Sequence, residues 1–374
     1  MPRSCGVSSD GWTLEALGKG EAIGNRARRG RSKHTMKRSL VGVVVLAAAI
    51  LGAGIASAAD VVIYAALDKK TIEEIADAFK QATGLTAEIA LQIEQAGTVS
   101  SRIQTEAANP RADIFIGGNS SIHDSLAKGG FLTKYVSPEI ARARIESKYM
   151  DPNGFWSGWY LGALAVLVNE KRFQAEIAAK GMKLPATWDD LLNPAYKGEV
   201  IAANPATTGG AVIFMATQIF RLGSEEAGFK YIADLHKNVT QYTPGANGSI
   251  PLVAQGQAIA GVAWGHDLIR QKKAENLPVH VIFPKDDGYE IGAVSILKGA
   301  PHQAAAQKFV DFILSPKPME INAKNGLRYP VRAGVKLPEG VPPFESLQFV
   351  NYDGGKVAAS LDAWKKRWSQ ITGK

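Results

Sequence analysis

The chain has 374 residues and a formal charge of +8, but residues 1–59 hold nine Lys/Arg and three Asp/Glu, so the remainder carries only about +2. No basic stripe follows residue 60, which argues against a nucleic-acid partner. The single cysteine is Cys5, so residues 60–374 have no disulfide, no thiolate nucleophile and no cysteine-ligated metal.

Residues 1–35, rich in Gly, Arg and Ser, precede an alternative start at Met36 and are set aside from the fold. Met36-Lys37-Arg38 is followed by the apolar run 40–55 and by Ala56-Ser57-Ala58. A basic start, a short apolar core and a small-x-small exit predict a secretory signal over 36–59, cleaved after Ala58 or Ala59. A retained anchor is the alternative, but the run is short for a spanning helix. No cysteine stands at the cleavage point, so no lipid can be attached there.

Residues 60–66 (DVVIYAA) predict a buried strand and 71–83 a helix with Ile72, Ile75, Ala76 and Phe79 on one face, ended by Gly84. A strand over 85–91, a glycine- and hydroxyl-rich loop at 97–101, a helix over 102–108 and a strand over 112–116 follow. A second loop of that kind spans 117–121. This β-α-β-α-β order is that of an open α/β sheet, which binds ligands beyond the carboxyl ends of its strands. Thr98, Ser101, Asn119 and Ser120 are therefore candidate ligand donors, although ordinary turns favour the same residue types.

A strand over 161–169 comes next, then a proline-led cap into a helix near Thr187 to Leu192. The stretch EVIAANPATTGGAVIF, residues 199–214, organises the second half. Val200 to Ala203 predict a strand end, Asn204-Pro205 stops it, and a helix over 211–222 follows Thr207-Thr208-Gly209-Gly210. A strand turning through small hydroxyl residues into a helix offers free N–H groups at the positive end of the helix dipole. Thr207, Thr208 and Gly209 are thus a candidate anion seat; the alternative is that a threonine merely caps its own helix. Helices over 224–235 and 250–255 are predicted, the latter opened by GANGS with Asn247. Strands over 258–264, 279–283 and 291–297 and a helix over 300–314 complete the pattern, with Gly265-His266-Asp267 and Glu290 between them.

The landmarks VVIYAA, RADIFIGGNSS, LPATWDDLLNPAYKGEVIAANPATTGG, LVAQGQAIAGVAWGHD, YEIGAVSILKGAPHQAAAQKFVDFILSP and NGLRYPV, in this order after a signal, resemble those of periplasmic solute-binding proteins of ABC importers. The likeness covers residues 60–374 and is nearest the branch of ferric-ion, phosphonate and sugar-phosphate binders. It implies an α/β, type II two-lobed fold: lobe 1 over 60–162 plus 285–374 and lobe 2 over 163–284, with crossovers near 162–169 and 279–292. It also implies a monomer in the periplasm, a small anionic ligand between the lobes, an inner-membrane permease as partner, and no enzyme activity, metal or cofactor.

Ferric members of the branch use a tandem tyrosine pair after the strand that here reads AIAGVAW, where this chain has Gly265-His266-Asp267. A hard ferric ion prefers phenolate and carboxylate oxygens, so ferric binding is not favoured. His266, Asp267 and Glu290 instead resemble the residues that hold ring hydroxyls in the sugar-phosphate binders. Carboxylates accept from hydroxyls and imidazole can donate or accept; the alternative is a helix cap and a lysine pair. The resemblance implies capture of a phosphorylated small molecule, a hexose phosphate foremost, with 2-aminoethylphosphonate or another phosphonate as the alternative. The anion is expected on Thr207, Thr208 and Gly209 with Asn119, Ser120, Thr98, Ser101 and Asn247. An exported phosphoester hydrolase is the contrasting class, but the sequence has no HExxH and no GxSxG.

Overall fold

A computed structural model describes residues 59–337 and 340–374. The predicted signal over 36–59 and the leader 1–35 lie outside the described residues, Ala59 excepted.

Among the described residues, eleven strands are hydrogen-bonded into one extended assembly, eight of them along its main path. In its first half, β1 (Val61–Ala66) lies in parallel between β2 (Ala87–Gln92) and β3 (Ile114–Asn119). The antiparallel β10 (Tyr289–Leu297) then joins β3 to β5 (Ser157–Asn169), and β4 (Leu132–Thr133) pairs with β10. β11 (Tyr329–Pro330) takes the other edge of β5. All thirteen residues of β5 are buried, because this strand belongs to two sheets. Its first half pairs with β10, and Leu164 to Val168 pair with β8 (Ala260–Trp264). β9 (Val279–Ile282) flanks that second half, and β6 (Val200–Ala203) and β7 (Val239–Thr243) extend the second sheet in parallel from β8. Each sheet has its own apolar core. One gathers Ile63, Ile72, Phe79, Trp159 and Phe309, the other Val166, Trp188, Val212, Ile219 and Val262.

The helices of six residues or more are α1 (Lys69–Thr83), α2 (Ala96–Thr105), α3 (Ser120–Lys128), α4 (Gly209–Arg221), α5 (Glu225–His236), α6 (Ser249–Ala254), α7 (Gly265–Glu275), α8 (Gln303–Ile313), α9 (Pro316–Gly326) and α10 (Gly354–Thr372). No helix among the described residues is long and apolar enough to cross a membrane. α1 begins where Asp68 accepts from the Thr71 amide at 2.9 Å, the usual carboxylate cap.

Several elements depart from the sequence pattern. α2 starts at Ala96, so Gly97, Thr98 and Ser101 are helical rather than a loop. Val99 and Ile103 are buried four residues apart, and this apolar stripe outweighs the glycine. Residues 117–121 are the end of β3 and the start of α3, whose buried face holds His123 and Leu126. Trp188–Leu192 is a 3₁₀ turn, because Pro194 leaves no length for an α-helix. Within 285–374, α10 joins the second core. Its Val357, Trp364 and Trp368 are buried in the second core, since an apolar stripe goes where it can be covered, not where sequence neighbours lie.

Candidate ligand-binding cleft

The carboxyl ends of β1, β3, β6, β7 and β8 face one another across a cleft of about 710 Å³. One wall is built from helix starts. After β6, the carbonyl of Asn204 accepts from the amides of Thr207 and Thr208, both at 3.1 Å, and the Asn204 side chain accepts from Ala206 at 2.8 Å. This turn aims α4 into the cleft with Thr208 as its N-cap residue. The Thr208 side chain does not cap the helix. Its hydroxyl has no hydrogen bond among the described residues, and the first-turn amides have no intrahelical acceptor. The Thr207 hydroxyl is engaged, donating to the Asn204 carbonyl at 3.1 Å.

Across from Thr208 stands Asn119, 4% exposed, with its Oδ1 accepting from Ser121 at 2.7 Å. A Cβ on Gly209 would lie 2.1 Å from Asn119 Nδ2. Only glycine lets the ends of the two sheets approach this closely. Thr98 and Ser101 line the same wall from α2, whose N-terminus has no side-chain cap, and Ser101 donates to the Gly97 carbonyl at 3.1 Å. Ser120 does not line the cleft, whereas Ser121 does. Successive residues at a helix start point about 100° apart, so the sequence could not choose between neighbours.

A second, charged group of side chains lines the same cleft. α7 begins with His266 and Asp267, 3% and 6% exposed. Asp267 accepts from Arg270 at 2.9 Å and from Asn247 Nδ2 at 2.7 Å, with His266 Nε2 at 3.3 Å. Asn247, expected at the anion seat, is thereby tied to the carboxylate: its Oδ1 accepts from the Trp264 amide at 3.2 Å. Glu290 enters from β10, 7% exposed and without a hydrogen bond among the described residues. A Cβ on Gly162 would come within 2.8 Å of His266 and 3.0 Å of Glu290 Oε1, so a glycine in β5 makes room for both. Burial raises Glu290 to about 8; Arg328 opposes that and the charge of Asp267 adds to it. Burial also opposes ionisation of Asp267, but His266, Arg328 and Arg270 outweigh it and hold the carboxyl well below its usual value. Desolvation depresses the His266 imidazole against the pull of Asp267, and its Nδ1 has no hydrogen-bond partner among the described residues.

Sequence reasoning missed Arg328, Asp68 and Tyr160. Arg328 follows α9 in the NGLRYPV landmark, after Leu327 in the left-handed conformation at φ 53°. Its guanidinium lies 5.1 Å from the Tyr160 ring and 3.6 Å from Asp68. A lone arginine between a helix end and a strand offered little signal, since such residues commonly serve the helix dipole.

Two lobes of α/β structure sharing a strand, with helix starts and paired charges facing across a cleft, define a receptor for a small polar solute. The sequence profile of the bacterial extracellular solute-binding proteins matches residues 109–356, and the chain belongs to that family. It is the extracytoplasmic solute-binding component of an ABC importer, not an enzyme. The chain is 32% identical over 284 residues to an uncharacterized protein of Haemophilus influenzae, covering 73% of this chain and 80% of that one. It is 27% identical over 311 residues to a Salmonella typhimurium protein named "Putative 2-aminoethylphosphonate-binding periplasmic protein", covering 79% and 86%. The structure of the periplasmic binding protein AfuA from Actinobacillus pleuropneumoniae with exogenous fructose-6-phosphate bound superposes with a TM-score of 0.74. That pair is 29% identical over 84% of this chain and 98% of AfuA.

Proposed function

We infer that this protein captures a phosphorylated small molecule, a hexose phosphate foremost, after export through the signal at 36–59, and presents it as a monomer to its permease. The observation that carries this reading is the division of the cleft. The start of α4, with the free Thr208 hydroxyl, approaches Asn119 and the uncapped start of α2, while the ionisable groups gather around His266, Asp267 and Glu290. Helix starts favour a phosphoryl group, which carboxylates would repel. The Thr208 hydroxyl, the first-turn amides from Gly209, Asn119 and Thr98 seat the anion, while Thr207 and Ser101, whose hydroxyls donate to the Asn204 and Gly97 carbonyls, shape the seat; His266, Asp267 and Glu290, with Asn247 steadying Asp267, take the hydroxyl end. The fructose-6-phosphate bound to AfuA supports a phosphorylated sugar as the ligand. The 2-aminoethylphosphonate reading draws on the name of the Salmonella relative and on carboxylates that could meet an ammonium.

Calorimetry with glucose 6-phosphate, 2-aminoethylphosphonate and inorganic phosphate tests it. Removing a hydrogen bond to a charged group costs about 1.5–3 kcal/mol, or roughly tenfold to over a hundredfold in affinity. Thr208→Val should weaken all three ligands by similar factors. Asp267→Asn should change their ranking and leave inorganic phosphate little affected. Equal weakening of all three by Asp267→Asn, or no effect of Thr208→Val, refutes the division.

A further inference from the structure

Arg328 is the one fully charged group of the polar wall whose role the division above leaves open. Its side chain is 10% exposed and lines the cleft, and its Nε has no hydrogen-bond partner among the described residues. Its nearest polar contacts are loose, 3.4 Å to Asn322 Oδ1 and 3.6 Å to Asp68 Oδ2. Arginine is buried at this cost where a planar cation is needed. The groups around it are Asp68 before α1, Tyr160 on β5, His266 and Asp267 on α7, and Glu290 on β10. Asp267 already has Arg270 at 2.9 Å, and Asp68 has Arg328. Two carboxylates therefore face two guanidinium groups, and Glu290 is left without an ion pair. A wall balanced in this way has donors and acceptors for hydroxyls but no spare negative charge.

We propose that Arg328 makes the site select an uncharged, hydroxyl-bearing tail on its phosphorylated ligand and reject an ammonium tail. The inference rests on the reading of the cleft as an anion site and goes beyond it by assigning the discrimination to one residue. An ammonium group entering this wall meets the guanidinium in a buried setting, where like charges repel strongly. Burial holds the Glu290 proton up to about 8, so near neutral pH that carboxyl does not offset the repulsion until it ionises. A sugar hydroxyl carries no charge and meets no such opposition.

Ethylphosphonate and 2-aminoethylphosphonate share an anion and differ by the ammonium, so the ratio of their Kd values isolates the effect. In the intact protein 2-aminoethylphosphonate should bind the more weakly. Arg328→Gln should shift the ratio toward the ammonium ligand by at least about tenfold. Asp68→Asn keeps the oxygen that caps α1 and unbalances the Arg328 charge, so it should shift the ratio in the opposite direction. A ratio unchanged within about twofold in Arg328→Gln, or equal weakening of both phosphonates, overturns the proposal. If Arg328→Gln does not fold, Asp68→Asn decides alone: a shift toward the ammonium ligand, or none, overturns it. Inorganic phosphate separates the two levels. Failure of the intact protein to bind phosphate or either phosphonate refutes the anion site and the proposal with it. Binding of all three with an unmoved ratio refutes only the role of Arg328.

Discussion

Glu290→Gln should make folding stability less sensitive to pH, and the size of the effect follows from the site. Glu290 is 7% exposed, and burial raises its carboxyl from 4.5 to about 8. In the unfolded chain it ionises near 4.5; in the folded protein it keeps its proton until about 8. Below 4.5 both states hold the proton, and the contribution of this group to stability is fully present. As pH rises, the unfolded state gains by ionising while the folded state does not, so stability falls until about pH 8 and then levels. Each unit is worth about 1.36 kcal/mol, which makes the full loss about 4–5 kcal/mol. Glutamine has nearly the same shape and no proton to lose. The variant should therefore gain stability on the unaltered protein progressively between pH 4.5 and 8, whatever constant offset separates them at pH 4. Urea unfolding of both proteins at intervals from pH 4 to 9 measures the gap directly, provided the m-values agree. A gap that stays constant within about 1 kcal/mol over this range would show that Glu290 is ionised in the folded state. The charge balance assigned to the polar wall would then be wrong.

Gly209→Ala places a methyl 2.1 Å from Asn119 Nδ2, so the Asn119 side chain must turn away from the start of α4. Calorimetry should show weaker binding of inorganic phosphate by the variant, and equal affinity would refute the role of this close approach. Trp364→Ala should cost about 3–5 kcal/mol, because this α10 residue is 1% exposed in the second core. A loss under about 1 kcal/mol by urea unfolding would place α10 outside the cooperative core. N-terminal sequencing of the exported protein should begin at Ala59 or Asp60, and a start upstream of Leu40 would refute the signal reading.

The parts of this protein legible in its sequence are those fixed by near neighbours along the chain. Periodicity marked β1, β5, β6 and α1, and the Asn204-Pro205 stop followed by Thr207-Thr208 marked the strand-to-helix turn that points α4 at the cleft. Local backbone rules suffice for such features, and the order of the landmarks then carried the family. Where the sequence misled, a packing decision had intervened: the stripe of Val99 and Ile103 drew Gly97 and Thr98 into α2. Packing through Trp364 and Trp368 likewise took α10 to the second core. The charge pairing within the cleft was not legible. Asp68 and Arg328 are 260 positions apart in the chain and 3.6 Å apart in the fold, and Asn247 turned from the expected anion seat to Asp267. A charge takes its meaning from what lies within a few ångströms and from how much water is excluded around it. Only the closing of two sheets around β5 sets those distances.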